Sequence, residues 1–203
     1  MIIINDPSFE TGPSLIPYST TLTNQWQETF INGNAVGEVT STAAMFDDAT
    51  PDGSRFSWIN NNNTAFQGFT NTLSAGTYVL SVWLGERKDL SGVGWSPSVG
   101  QFDLQAASSI NFSSVTTLTP TTFTNNVPGV GQWVQAVKTY TIDSSNPLIG
   151  QQLVVNLTNP LGGNSEAGFD MVTLEIVPEP ASLTLAALGM AFLALTVRRR
   201  ANR

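Results

Sequence analysis

From Thr77 to Arg87 the chain alternates, with Tyr78, Leu80, Val82 and Leu84 falling on one side of an extended backbone. A period of two puts successive side chains on opposite faces, so this stretch predicts a strand with one face turned to a sandwich core. No stretch before residue 181 carries a sustained apolar pattern at i, i+3 and i+4, and helical folds are excluded for the body of the chain. Further strands are expected at Ile2–Ile4, Val39–Phe46, Phe56–Ile59, Ala65–Leu73, Gln101–Ala106 and Val115–Thr121. Trp133–Ile142, Gln152–Leu157 and Ala167–Ile176 complete the set. Turn signals such as Asn32-Gly33-Asn34 and Pro51-Asp52-Gly53 separate them. Short strands, turn clusters and no helix predict an all-β sandwich over residues 1–176.

The end of the chain is different. Ala181 to Val197 is an uncharged apolar run of 17 residues, and Arg198, Arg199 and Arg200 follow it directly. As a helix the run would cover roughly 26 Å, close to the ~30 Å of a hydrocarbon core. Only Ser182, Thr184 and Thr196 interrupt it, too few for the polar stripe of a helix packed on a domain. The expectation is a single transmembrane helix at 181–197, with the arginines cytoplasmic and the preceding domain outside. The alternatives are an ordinary tail anchor or a packed helix. Val177, Pro178, Glu179 and Pro180 precede the run, and a Pro-x-Pro pair leaves an extended, protease-accessible hinge.

Pro-Glu-Pro, a short apolar helix and a terminal basic cluster, in that order, resemble the PEP-CTERM sorting signal of Gram-negative bacteria. The resemblance covers 177–203 and implies an exosortase-type processing enzyme as partner, with residence in the cell envelope or release to the surface after cleavage. An export-type terminus also implies a secretory leader. Met1 runs straight into a strand-like IIINDPSFE, so a leader missing ahead of this start is expected, against the alternative of a cytosolic chain with a tail anchor.

Composition narrows the chemistry. With no cysteine and no histidine, thiol catalysis, disulfides, His-based triads and His/Cys zinc sites are excluded. In residues 1–177 four basic side chains against fourteen acidic ones leave a net charge of −10. That excludes nucleic acid and anionic membrane surfaces as electrostatic partners of the domain. The oxygen ligands that remain favour Ca²⁺ over other metals.

Other residues carry a second resemblance. Asn5, Phe9 and Glu10 stand at the start, Pro51-Asp52-Gly53-Ser54 before a strand, and Ala75-Gly76-Thr77-Tyr78 before Leu80-Ser81-Val82-Trp83. Arg87 follows, Trp133 precedes a late strand, and Gly168-Phe169-Asp170-Met171-Val172-Thr173-Leu174 closes the domain. In this order they resemble the galactose-binding-domain-like jelly roll of many carbohydrate-binding modules, over nearly all of 4–176. The departure is Met171, where the family often has Asn between Asp and Val. The resemblance implies that the first and last strands lie side by side, so Glu10 and Asp170 could share one structural Ca²⁺, with carbonyls near Gly12 or the Asp47–Asp48 turn completing the shell. Without metal they are loop caps.

Trp95, Trp58 and Arg87 are the candidate ligand-binding residues. Sugar sites stack rings on flat aromatics and bracket hydroxyls with Arg, Asn or Asp. Trp95 stands in a Gly/Ser/Pro loop, and Trp58 precedes the Asn60 to Asn63 loop. The competing reading of Trp95 is a loop plug; Trp26, Trp83 and Trp133 are assigned to core packing. Acids at Asp47, Asp48, Asp52, Glu86 and Asp89 lie on turns, where carboxylates are usually solvated. No catalytic residue is assigned. The functional expectation is a non-enzymatic, exported surface or matrix protein binding extracellular polysaccharide. Its alternatives are an adhesive matrix protein without a ligand site and a polysaccharide hydrolase.

Overall fold

The structure is a computed structural model and describes residues 2–4, 6–10, 18–19, 26–29, 36–90, 94–108, 114–124 and 126–177. Among these there are thirteen strands and no helix. They are β1 (Tyr18–Ser19), β2 (Gln27–Thr29), β3 (Val36–Thr40), β4 (Arg55–Asn60), β5 (Thr64–Thr72), β6 (Gly76–Gly85) and β7 (Ser96–Pro97). Next come β8 (Gln101–Ala107), β9 (Val115–Thr117), β10 (Thr122–Thr124), β11 (Trp133–Ile142), β12 (Gln152–Thr158) and β13 (Ser165–Val177).

Two sheets face each other, as in the jelly-roll-like sandwiches the sequence resembles. The larger runs β1-β3-β4-β13-β6-β11-β10, with β7 added in parallel to the start of β13. The smaller runs β2-β5-β12-β8-β9, and every pairing except that of β7 is antiparallel. The alternation from Tyr78 to Leu84 holds: all four residues are buried between the sheets with Phe102, Leu104, Tyr140 and Phe169. Tyr140 crosses the core, its hydroxyl accepting the Leu104 amide at 3.0 Å, so a buried polar atom is satisfied by the opposite sheet.

Three expected strands change shape. Ile2–Ile4 makes one bridge, Ile2 to Leu174, which still sets the start of the chain beside its last strand. The Val39–Phe46 expectation moves to Val36–Thr40, because Thr42 opens a turn in which its carbonyl accepts the Met45 and Phe46 amides. Val115–Thr121 divides: β9 pairs with β8 in one sheet and β10 with β11 in the other. The chain changes sheet across Leu118 to Thr121, where Pro120 has no amide to donate to a ladder.

A second aromatic layer covers the outer face of the larger sheet. Val39, Phe46, Phe56, Trp58 and Trp133 are buried there, with Met45 and Trp83 half-buried against them. Of the tryptophans expected in the core, Trp26 joins the inter-sheet cluster, whereas Trp133 and Trp83 belong to this outer layer. Gly85 allows it: a Cβ there would come within 2.6 Å of the Trp133 ring, so only a glycine lets the indole lie flat on the sheet.

Candidate functional site

Trp58, Arg87 and Trp95 come from three separate elements to one pocket of about 380 Å³ on the outer face of the larger sheet. Glu166, Asn60 and Leu90 line it with them. Trp58 is brought there by the register of β4 against β13, in which it stands opposite Gly168 and Asn60 opposite Glu166. Arg87 follows the end of β6, where the chain is tied to neighbouring loops. Glu86 donates to the Gln132 carbonyl at 3.3 Å and Lys88 to the Met45 carbonyl at 2.9 Å. Trp95 is carried by β7, whose parallel pairing sets Ser96 beside Ser165 and Pro97 beside Glu166. The Ser96 amide donates to the Asn164 carbonyl at 2.8 Å, and the Asn164 amide nitrogen donates to the Gly94 carbonyl at 3.3 Å.

The charges are fixed by one guanidinium. Arg87 grips Asp89 with Nε and Nη2, at 2.9 and 2.7 Å, and donates through Nη1 to Glu166. A planar fork held at three nitrogens has little freedom left, so it presents a pre-set charge to the pocket. Burial pushes the Glu166 carboxyl above the usual carboxylate range, and the Arg87 charge opposes that shift. Within the Asn-rich loop only Asn60 lines the pocket. Asn61 and Asn62 both have positive φ, 51° and 60°, and form the central pair of a tight turn that carries the chain from β4 in the larger sheet to β5 in the smaller, closed by the Asn63 amide on the Asn60 carbonyl. The Asn63 side chain also donates to that carbonyl, and Asn61 Oδ1 accepts the Ser165 amide.

Glu10 and Asp170 also come to one neighbourhood, beside the Asp52–Gly53 turn. Glu10 Oε1 accepts the amides of Ser54 and Arg55, at 2.7 and 2.5 Å. Gly53, at the left-handed φ of 60°, leaves the space the carboxylate occupies: a Cβ there would sit 2.4 Å from the Glu10 carboxyl carbon. Asp170 Oδ2 accepts the Asp52 amide at 3.2 Å and Oδ1 the Met171 amide at 2.7 Å. Burial pushes the Asp170 carboxyl up to about 7, helped by the nearby charges of Asp52 and Glu10. Asp47, proposed from sequence to lie near this shell, pairs with Lys88 at 2.5 Å. No group of three or more metal-ligating acids is formed among the described residues.

Sequence reasoning missed Glu166, which stands 79 positions from its Arg87 partner and follows no spacing rule. It also missed the aromatic layer in which Phe46, Phe56 and Trp133 pack with Trp58, although two glycines, Gly85 and Gly168, marked the bare sheet beneath it. Of the sorting motif, Val177 ends β13 and is exposed. Pro178, Glu179, Pro180, Arg198, Arg199, Arg200 and the expected helix at 181–197 lie outside the described residues. Among those described, no helix is long and apolar enough to cross a membrane.

Residues 1–175 match the HpiC1-like family model, described as HpiC1 cyclase, and residues 177–200 match the PEP-CTERM protein-sorting motif. No curated protein matches the chain. Among solved structures, it is similar to a cyclase from Fischerella sp. TAU in complex with 4-(1H-indol-3-yl)butan-2-one. That similarity has TM-score 0.70 and 19% identity, over 87% of this chain and 97% of the other. It is also similar to the CBM22-2 xylan-binding domain from Paenibacillus barcinonensis Xyn10C, with TM-score 0.50 and 11% identity over 84% and 98%. At these identities the likeness speaks for the fold: one sandwich that relatives use both for catalysis and for holding polysaccharide.

Proposed function

The chain belongs to the HpiC1-like family, and from that premise we propose that it is an envelope-sorted binding protein that takes a glycan unit beside Trp58 and Trp95 without transforming it. The observation that carries this reading is the convergence of Trp58, Arg87 and Trp95, with Asn60 and Glu166, on one pocket. Trp95 is half-buried and lines the pocket, while the clamped guanidinium and the Glu166 carboxylate supply donors and acceptors for hydroxyls. The PEP-CTERM motif begins where the sandwich ends, at Val177. In this reading the 181–197 run anchors the chain in the membrane of a Gram-negative envelope, the arginines after it stay cytoplasmic, and an exosortase-type enzyme processes the tail. Glu10 and Asp170 hold one structural Ca²⁺, which would neutralise carboxylates that otherwise have no cation beside them among the hydrogen bonds and ion pairs of the described residues.

One observation favours a second reading. Burial raises the Glu166 carboxyl in a pocket with two indole rings, and a proton held beside an aromatic ligand is what an acid-catalysed ring closure requires. The family's description as a cyclase points the same way. The Arg87 guanidinium on Glu166 favours the ionised carboxylate over a proton donor, and binding is therefore preferred. The test uses the full chain in detergent on a glycan array, beside Trp95→Ala, with 4-(1H-indol-3-yl)butan-2-one titrated in parallel. Array retention lost in Trp95→Ala supports glycan binding. A silent array, with Trp95-dependent binding of the indole ketone, would replace it with the catalytic reading.

A further inference from the structure

A second cleft lies away from the Trp95 pocket, in the opening between β8 of the smaller sheet and β10 and β11 of the larger. It encloses about 490 Å³ and is lined by Gln101, Phe102, Asp103, Phe123, Val127 and Lys138. Lys138 organises it. Its Nζ donates to the Phe102 carbonyl at 2.7 Å and to Asp103 Oδ1 at 2.6 Å. The same ammonium lies 5.1 Å from the Phe102 ring centroid and 4.9 Å from that of Phe123. Phe102 is buried, whereas Phe123 is 46% exposed on a three-residue edge strand.

Three features of this arrangement specify a ligand. An ammonium carries three N–H donors, and two are committed, which leaves one for the cleft. Asp103 uses Oδ1 on the lysine, and its Oδ2 remains an acceptor on a side chain 27% exposed. A donor and an acceptor thus stand side by side on a pair of zero net charge, next to a half-exposed aromatic ring. A charged ligand would be repelled by the like-charged member of that pair. A purely apolar one would cover both polar atoms without giving either a partner. A neutral ring with adjacent hydroxyls satisfies all three: its apolar face stacks on Phe123 and its hydroxyls bridge Lys138 and Asp103.

We propose that this inter-sheet cleft is a second saccharide site, independent of the Trp58–Trp95 pocket and built on Phe123, Lys138 and Asp103. It extends the glycan reading above, sharing its ligand class but none of its residues, so the two can fail separately. One segment links them, because Trp95 reaches the first pocket and Gln101 to Asp103 line the second. Two weak sites on one rigid sandwich would raise the avidity of the protein for a repeating polymer beyond that of either alone.

The two sites have different reporters. The first contains two tryptophans and the second none, so indole fluorescence follows the first while calorimetry counts both. The full chain in detergent is titrated with xylohexaose, cellohexaose and β-1,4-galactotriose as probes. The expected result is two sites by calorimetry. Phe123→Ala, an exposed edge-strand change, should weaken one of them about tenfold without altering the fluorescence titration. Lys138→Gln should act in the same direction, and Trp95→Ala should remove the fluorescent site alone. A single site sensitive only to Trp95→Ala would overturn the second cleft and leave the first reading intact. A single site sensitive only to Phe123→Ala would do the reverse, and absence of heat with all three probes would overturn both.

Discussion

Glu166 and Asp170 stand four positions apart on β13, both buried, and they are compensated in opposite ways. Glu166 faces a guanidinium that is itself clamped by Asp89. Asp170 faces two backbone amides and the carboxylates of Asp52 and Glu10. A paired carboxylate can stay charged at the edge of a pocket, where a ligand can use it. A carboxyl solvated by amides alone, with like charges beside it, must either keep its proton or acquire a cation. In the proposed reading Glu166, at the start of β13, serves recognition, and Asp170, at its middle, holds a proton or a metal.

The largest expected effect tests the second half of this contrast. The Asp170 pKa rises from 3.8 to about 7 on folding, so the native state holds a proton that the unfolded chain has lost. The contribution is fully present below about pH 4 and is lost as pH rises to about 7. In EDTA, urea unfolding should show stability declining across that window by up to about 4 kcal/mol. Asp170→Asn should flatten the profile. At pH 7.5, added Ca²⁺ should raise the melting temperature if Glu10 and Asp170 hold the metal. A flat profile in EDTA would show that the amides suffice to keep Asp170 ionised.

The first half is tested next. Arg87→Met leaves Glu166 buried without its cation and should cost about 3 kcal/mol in urea unfolding. Adding Glu166→Gln should recover a substantial part, because the unpaired charge is then gone; strictly additive losses would mean that the two side chains act independently. A smaller effect is expected at the bulge after Asp170. Met171 has φ 45° and is 38% exposed, a left-handed position that Asn tolerates better than a long side chain. Met171→Asn should stabilise the fold by about 1 kcal/mol, read as a higher urea midpoint with an unchanged slope. The smallest stability effect belongs to Trp95→Ala, within about 0.5 kcal/mol. A loss well above that, with array retention intact, would return Trp95 to the role of a loop plug.

Much of this molecule was legible in the chain. The sandwich followed from period-two alternation in β6 and at Leu153, Val155 and Leu157 of β12, because a strand with one buried face writes its pattern into adjacent residues. The sorting motif was equally readable, being a linear order of proline, apolar run and arginines. Trp58, Arg87 and Trp95 could be singled out one at a time, each by a local anomaly: a tryptophan before an Asn turn, a base at a strand's end, an indole in a Gly/Ser loop. What no local pattern contained was their meeting. That depends on β4 pairing with β13 and on β7 adding to the start of β13 in parallel, contacts between residues up to about a hundred positions apart. The same pairings brought in Glu166 and turned Trp133 to the outer face. The identity of each side chain and the face it takes in its own strand are local properties of the sequence. Which strands become neighbours is decided by burying two faces of the larger sheet at once, and only the folded sandwich makes that choice.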